Sequence, residues 1–198
     1  DSETITVNPL PTGSTVGTTD VCQNGVAPDI TFTGANGSAP YTFTYTINGG
    51  APQTVSSVGA SSTATVSVPT GTAGTFVYAL TGVQDASSTT CSNPQVDSET
   101  VIVNPLPTAT TMGTTDVCQN GAAPNITFTG ANGTAPYTFT YTLDGAGPYT
   151  VSSVGASSTA TVSVPTGTAG TFVYALTGVQ DASSTTCSNP QVDSETVI

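Results

Sequence analysis

Apolar and hydroxyl-bearing side chains alternate along residues 30–33 and 41–47. In the longer segment an aromatic or aliphatic residue stands at every second position, with threonines between: Tyr41, Phe43, Tyr45 and Ile47. A period of two places the apolar side chains on one face of a β-strand and the hydroxyls on the other. We predict that these segments form a central hairpin of two half-buried strands, joined by a turn rich in Gly, Asn and Pro.

Shorter segments of the same kind lie on both sides of this hairpin. The further predicted strands are residues 15–16, 19–22, 53–57, 63–68, 75–83 and 99–103, with a loop at residues 85–94. Turn residues such as Asn48-Gly49-Gly50 separate them, and no segment has a helical period. About seven short strands with regular turn signals predict an all-β fold, an immunoglobulin-like β-sandwich.

The whole pattern occurs twice, as tandem domains. Cys118 follows Cys22 by 96 residues (118 − 22), and Cys187 follows Cys91 by the same step (187 − 91). Residues 1–11 match residues 97–107, so they are expected to be the last strand and linker of a preceding repeat. We predict residues 12–107 as the first repeat and residues 108–198 as the second, with its last strand truncated. We expect the chain to be a segment of a longer array of tandem repeats.

The linker Asn-Pro-Leu-Pro-Thr occurs at residues 8–12 and again at residues 104–108. Prolines at alternate positions favour an extended, polyproline-like path. A short linker of this kind predicts a stiff string of domains.

The charge composition restricts the classes of partner. The chain has no Lys, Arg or His and twelve Asp and Glu, for a net charge of −12. Without cations to neutralise phosphates, nucleic acids and anionic membrane surfaces are disfavoured as partners, and no apolar run predicts membrane insertion. Charged residues are 6% of the chain, so hydroxyls and amides must supply solubility, which suits an extracellular protein.

Two cysteines in each repeat indicate disulfide bonds in an extracellular setting. We expect one bond per repeat, Cys22–Cys91 and Cys118–Cys187, because each repeat can then close on its own. Such a bond would pin one end of the sandwich. The alternative, Cys91–Cys118, would join neighbouring repeats and leave Cys22 and Cys187 without partners.

Catalytic chemistry has little support, and we predict that the protein is not an enzyme and has no cofactor. His, Lys and Arg are absent as acid, base or oxyanion donor, and the cysteines are assigned to disulfides. Asp97 and Glu99 form a close pair, which we interpret as solvated carboxylates on an outer strand. Loose calcium binding at Asp85 or at this pair is a weaker alternative.

The two repeats differ most densely at one hairpin tip. Residues 47–53 read INGGAPQ and residues 143–149 read LDGAGPY, whereas residues 54–102 and 150–198 are identical. Variable loop tips can carry binding functions, so the candidate ligand contacts are Asn48, Gln53, Asp144 and Tyr149. Unconstrained drift of an exposed turn is the alternative explanation, and the one we favour.

Several sequence motifs are characteristic of a known class of repeat: VCQNG, ITFTGANGTAPYTFTYT, VSVPTGTAGTFVYALTGVQD, SSTTCS and VNPLPT. Over its whole length the chain resembles the tandem repeats of giant flavobacterial cell-surface proteins, in particular SprB-type gliding-motility adhesins. The resemblance implies export by the type IX secretion system, a place on the bacterial outer surface and adhesion to a substratum. It assigns no catalytic or ligand residues.

The expected function is therefore structural and adhesive: stiff repeats in the stalk of a long extracellular adhesin or filament, whose partners are other repeats of the same chain. One alternative is self-association into filaments by strand complementation, in which residues 1–11 complete a truncated last strand in another chain. A second alternative is a glycan-binding module that uses the hairpin tips to bind surface polysaccharide.

Overall fold

The computed structural model describes residues 1–198, which form two compact units, Asp1–Val103 and Asn104–Ile198. The linker residues 104–107 group with the second unit. Both units are built from β-strands and turns, without helices. No part of the chain forms a helix of the length and apolar character needed to cross a lipid bilayer.

The first unit is a sandwich of two β-sheets. One sheet has the strand order β1-β3-β6 and the other β2-β8-β7-β4-β5. The strands are β1 (Thr12–Val16), β2 (Thr19–Cys22), β3 (Asp29–Ala35), β4 (Thr42–Ile47), β5 (Gln53–Ser56), β6 (Thr63–Ser67), β7 (Gly74–Gln84) and β8 (Ser92–Asn104). The predicted all-β, immunoglobulin-like sandwich is confirmed.

The second unit repeats this arrangement with sheets in the orders β9-β10-β13 and β12-β11-β14-β15. Thr115 makes an isolated parallel bridge to Val197 at the place where the first unit has β2. The strands are β9 (Thr108–Met112), β10 (Asn125–Ala131), β11 (Thr138–Leu143), β12 (Ala146–Ser152), β13 (Thr159–Ser163), β14 (Phe172–Gln180) and β15 (Ser188–Val197).

The core of each unit lies between its two sheets and contains the alternating aromatic residues. Phe32 on β3 and Phe43 on β4 are both 0% exposed, and their ring centroids lie 5.7 Å apart. Tyr45 packs 5.1 Å from Phe32, and in the second unit Phe128 and Phe139 are again 5.7 Å apart. Each such buried ring contributes roughly 1.5–3 kcal/mol through apolar burial.

The predicted central hairpin does not form, because β3 and β4 belong to different sheets. β3 pairs with β1 and β6, whereas β4 pairs with β5 and β7. The connection crosses the sandwich, and the ring of Tyr41 packs against Gly34 so closely that there is no room for a Cβ at that position. Two strands with aromatic faces bury more area when those faces meet across the core. Alternation identifies the inward face of a strand, but not the strand beside it.

The last strand of the first unit is longer than predicted. The predicted strand covered residues 99–103, whereas β8 begins at Ser92 and pairs with β7 along its length. Its first half carries polar side chains on one face and the fully exposed Val96 on the other. The usual contrast between apolar and polar faces is therefore absent, and the sequence resembles a loop.

The hydroxyl of Thr15 is buried in β1 without a hydrogen-bond partner, as is that of Thr111 in β9. An unsatisfied buried polar group costs about 1–3 kcal/mol. We expect Thr15→Val, which replaces the hydroxyl by a methyl group, to raise the unfolding free energy of the first unit by about 1 kcal/mol. Urea titration measures the change.

The matched control is Thr65→Val, at an exposed position on β6. It makes the same chemical change without removing a buried hydroxyl, so its effect should stay within about 0.5 kcal/mol. An equal effect of the two substitutions would show that β-strand propensity, and not the buried hydroxyl, determines the result.

Candidate functional site

At the hairpin tip, Asn48 has a structural role. Its φ angle is 50°, in the left-handed region that Asn tolerates better than most residues. Its Oδ1 accepts a hydrogen bond from the Val77 amide at 2.7 Å, and its Nδ2 donates to the Thr75 carbonyl at 3.1 Å. Asp144, the equivalent residue in the second unit, accepts from the Val173 amide at 2.7 Å. Both side chains fasten the turn to the neighbouring strand.

Gln53 and Tyr149, the other two candidate contacts, occupy equivalent positions beside a core tyrosine. Gln53 Oε1 accepts a hydrogen bond from the Tyr45 hydroxyl at 3.2 Å. The ring of Tyr149 lies 5.7 Å from that of Tyr141 and remains 46% exposed. Tyr149 therefore presents aromatic surface to solvent, whereas the other three candidates are hydrogen-bonded within the protein.

A ladder of side-chain hydrogen bonds joins β8 to the free edge of β1. Acceptors at every second position of β8 receive backbone amides of β1 and the turn after it: Gln95 Oε1 from Gly13 (3.0 Å), Asp97 Oδ2 from Thr15 (2.7 Å) and Glu99 Oε2 from Thr18 (2.8 Å). The second unit has the same bonds: Gln191 from Ala109 (3.0 Å), Asp193 from Thr111 (2.7 Å) and Glu195 from Thr114 (2.8 Å). We call these contacts the polar ladder.

Asp97 and Glu99 are therefore not the freely solvated carboxylates that we interpreted from the sequence. Both are half-buried, and both accept backbone hydrogen bonds. Because the chain has no cationic side chain, amide N–H and hydroxyl groups are the available donors to these carboxylates, and such charge-assisted bonds are stronger than neutral ones. The polar ladder also covers a strand edge that would otherwise expose unpaired N–H groups. No three His, Cys, Asp or Glu side chains form a group able to hold a metal ion.

A buried carboxylate, which the sequence did not distinguish from a surface one, organises the loop before β8. Asp85 is 4% exposed, and it accepts from the Ser38 amide at 3.0 Å and the Ser87 hydroxyl at 2.7 Å. Its own amide donates to the Cys91 carbonyl at 3.0 Å. Burial raises the pKa of the Asp85 carboxyl, but hydrogen bonds from Ser38, Ser87 and Cys91 together hold that pKa below its ordinary value.

The two cysteines of a repeat lie at opposite ends of its last strand. Cys187 directly precedes β15, whereas Cys118 follows Val117, whose amide donates to the Ile198 carbonyl just beyond the other end of that strand. Eleven residue steps (198 − 187) at about 3.3 Å each correspond to roughly 36 Å. In the first unit, the bonds of the polar ladder show that residues 13–18 run in the same direction as β8. The chain therefore reaches Cys22 towards the end of β8 that is opposite to Cys91.

The predicted disulfides Cys22–Cys91 and Cys118–Cys187 therefore do not form, and neither does the alternative Cys91–Cys118. Cys91 and Cys118 are free thiols, whereas Cys22 and Cys187 are disulfide-bonded. The Cα atoms of bonded cysteines lie within about 7 Å of each other, and the length of the last strand rules this out within one repeat. The even number of cysteines indicated bonding but not the partners.

A hydroxyl-lined groove on the larger sheet of each unit is a further feature that the sequence did not reveal. In the first unit it has a volume of about 430 Å³ and surrounds Gly82, with Thr42, Thr44, Thr54, Thr81 and Asn93 among its lining residues. The second unit has the equivalent groove, of about 380 Å³, around Gly178. The pairing of β7 with β8 shifts register between Leu80 and Gly82 at this place. Hydroxyl and amide groups of this kind can hydrogen-bond a neutral, polar ligand.

No protein-family model matches the chain, and no curated protein is similar to it in sequence. Among solved structures, it is similar to a Ca²⁺-stabilized adhesin that helps an Antarctic bacterium reach out and bind ice. The identity is 16% and the TM-score 0.51, over 97% of this chain and 50% of that one. The chain thus spans half the length of that structure, and the similarity shows a shared β-sandwich fold.

Two further structures have lower TM-scores. The human OSCAR ligand-binding domain is 20% identical, with a TM-score of 0.37, over 98% of this chain and 100% of that one. The fibronectin(III)-like modules of Clostridium thermocellum CbhA are 16% identical, with a TM-score of 0.37, over 94% and 93%.

We expect Asp97→Ala to release the amide of Thr15 from the polar ladder. Loss of this bond should cost about 1–3 kcal/mol and speed hydrogen exchange of the Thr15 amide about tenfold or more. Asp97→Asn keeps an acceptor oxygen and should cost less. NMR-detected exchange measures both variants against Ser98→Ala, the exposed neighbour. Unchanged protection of Thr15 in Asp97→Ala would contradict a structural role for the carboxylate.

The lowered pKa of Asp85 predicts acid sensitivity of the first unit. A carboxyl whose folded pKa is depressed stabilises the fold above its unfolded pKa of about 3.9 and loses that contribution as the pH falls through the folded value. We expect wild type to be more stable than Asp85→Asn at pH 7, and the difference to shrink below about pH 4. Urea titrations across this range measure it, with Asp29→Asn at an exposed position as control. A stability difference between wild type and Asp85→Asn that did not change with pH would contradict a lowered pKa of Asp85 in the folded protein.

Proposed function

We propose that the two repeats are a structural, adhesive segment of a long extracellular surface protein, in which they act as stiff stalk modules. The main support is the path of the chain through each repeat. Asn93 Nδ2 donates to the Pro11 carbonyl at 2.9 Å, which places the start of β1 beside the start of β8. From there β8 runs twelve steps (104 − 92), or about 40 Å, before the chain leaves at its far end. Each repeat therefore advances the chain by the length of its last strand.

Contacts of the linker residues support stiffness. Asn8 Nδ2 donates to Thr89 Oγ1 at 2.9 Å within the first unit. Asn104, the equivalent residue, donates to Thr185 Oγ1 at 3.1 Å within the second unit. The asparagine that opens each Asn-Pro-Leu-Pro segment is thus tied to the sandwich that follows it, which limits bending of an already extended linker.

We further propose a place on the bacterial outer surface, export by the type IX secretion system and a role in SprB-type gliding adhesion. The sequence resemblance supports this finer assignment. The bonded state of Cys22 and Cys187 is in keeping with it, since disulfides persist mainly in oxidising compartments outside the cytosol. No enzymatic activity is part of the proposal.

One observation favours strand complementation as a second candidate. Ile5 and Val7 are 88% and 87% exposed, although their equivalents Val101 and Val103 are core residues of β8. Residues 1–11 therefore carry the apolar pattern of a last strand without being paired. Both sandwiches already contain their own last strand, so this candidate requires an acceptor outside these two units.

Glycan binding, the other alternative, would use Tyr149 and the hydroxyl-lined grooves.

Single-molecule pulling tests the stalk proposal. We stretch the whole chain from its termini in excess dithiothreitol, so that the result does not depend on the cysteines. Two separate unfolding events are expected, each releasing about 300 Å of chain. Phe32→Ala, which empties a core position of the first unit, should weaken one event and leave the other unchanged. Smooth extension without events would mean that the repeats bear no load, contrary to the proposal.

A further inference from the structure

The hydroxyl-lined groove of the first unit lies where four neighbouring strands of the larger sheet present one row of paired residues. Thr54 on β5 pairs with Thr44 on β4, and Thr44 pairs with Gly82 on β7. Gly82 in turn pairs with Pro94 on β8. All four residues line the groove. Neighbouring strands lie about 4.8 Å apart, so the row is about 14 Å long.

Polar side chains in and beside this row are available to a ligand. In the next row, Thr42 pairs with Gln84, and the hydroxyl of Thr42 is already hydrogen-bonded to that of Ser56 at 2.9 Å. The side chains of Thr44, Thr54 and Gln84, by contrast, make no hydrogen bond within the protein. The groove therefore offers two hydroxyls and one amide group, each of which both donates and accepts.

The floor of the groove is a glycine that the backbone does not require. The φ angle of Gly82 is not positive, and the extra residue of the register shift is its neighbour Thr81. A Cβ at Gly82 would lie 3.8 Å from the Asn93 carbonyl oxygen and 3.9 Å from Thr44 Cβ, which are ordinary contact distances. Glycine weakens the interior of a strand and often stands where another molecule approaches closely. The space above Gly82 is open because a side chain is absent, although one would fit.

The second unit has the same arrangement. Thr140 pairs with Thr150 and with Gly178, and Gly178 pairs with Pro190. A Cβ at Gly178 would again lie 3.8 Å from its nearest neighbour, the Asn189 carbonyl oxygen. Each repeat therefore carries one groove with an open glycine floor.

The charges of the chain restrict what such a groove can hold. No residue that lines either groove is Asp or Glu, although the chain has twelve of them. A cationic ligand would lack carboxylates in the groove, and an anionic ligand would meet a chain of net charge −12 without cations. A neutral ligand rich in hydroxyls fits the polar groups, and the exposed Pro94 offers apolar surface to the C–H face of a sugar ring.

We propose that the groove around Gly82, and its equivalent around Gly178, each bind an extended stretch of a neutral polysaccharide. Each stalk module is then itself adhesive. The proposal rests on the adhesive part of the function proposed above and names its ligand class, and it makes no use of the hairpin tips. Binding by one groove is weak, because each hydrogen bond to a sugar hydroxyl replaces one to water.

An NMR titration of the whole chain with neutral hexasaccharides tests the proposal. The probes are cellohexaose, laminarihexaose, maltohexaose, mannohexaose and xylohexaose, with hexagalacturonic acid as the anionic control. We expect at least one neutral probe to shift the amide signals of Gly82 and Gly178, and the anionic one to shift neither. Absence of shifts with all neutral probes, or equal binding of the anionic probe, would overturn the proposal.

Gly82→Val and Gly178→Val each fill one groove and provide the matched comparison. Valine is favoured in strands and its Cβ has room, so each variant should be at least as stable to urea as wild type. Each should weaken binding in its own unit more than about tenfold, the effect of losing one good hydrogen bond, and leave the other unit unchanged. A variant that keeps its stability and binds like wild type would contradict the proposal.

Three further substitutions locate the site without filling it. Thr54→Val removes one free hydroxyl at an exposed position and should weaken binding about two- to tenfold. Thr65→Val, on the other sheet, and Tyr149→Gln, at the hairpin tip, should leave it unchanged. Loss of binding in Tyr149→Gln, with Thr54→Val unaffected, would place the site at the tip and overturn the proposal.

The groove and the stalk can fail separately. The double variant Gly82→Val/Gly178→Val should still show two unfolding events when pulled in dithiothreitol, because neither substitution empties a core position. Loss of sugar binding with both events retained is the expected result. Sugar binding by a wild-type chain that extends without events would remove the stalk function and leave the groove proposal intact.

Discussion

The last strand of each repeat is the element on which the rest of the sandwich depends. In the first unit β8 pairs along its length with β7, and it also borders β2 at the edge of the larger sheet. Through the polar ladder it holds β1, which belongs to the other sheet. One strand thus joins both layers of the sandwich. Its length also sets the distance between the point where the chain comes in and the point where it leaves.

The absence of cationic side chains determines how this protein uses its carboxylates. Asp85 and Asp97 have no lysine or arginine to pair with, so their oxygens accept from backbone amides and hydroxyls. These partners are fixed by the backbone, and therefore each carboxylate sets the position of a strand or a loop. Asp97 fixes the edge of β1, and Asp85 shapes the loop that carries Cys91.

The functional proposals follow from the same geometry. A repeat whose chain enters at one end and leaves at the other extends an array, and its two cysteines are then carried to those same ends. Cys22 and Cys91 are too far apart to close a single repeat with a disulfide. The tip residues Asn48 and Asp144 each fasten a turn to the adjacent strand, a structural role that their variability did not indicate.

The sequence by itself determined the two-fold repetition, the all-β character and the inward residues such as Phe32, Phe43 and Val101, because these depend on the period of side chains along one strand. The tertiary structure decided which strands are neighbours. It placed β3 and β4 in opposite sheets, turned the polar first half of β8 towards the edge of β1, and separated the cysteines of a repeat by the length of that strand. Pairing between distant segments depends on how two sheets pack around a core. The local alternation of apolar and polar residues does not determine which strands pair.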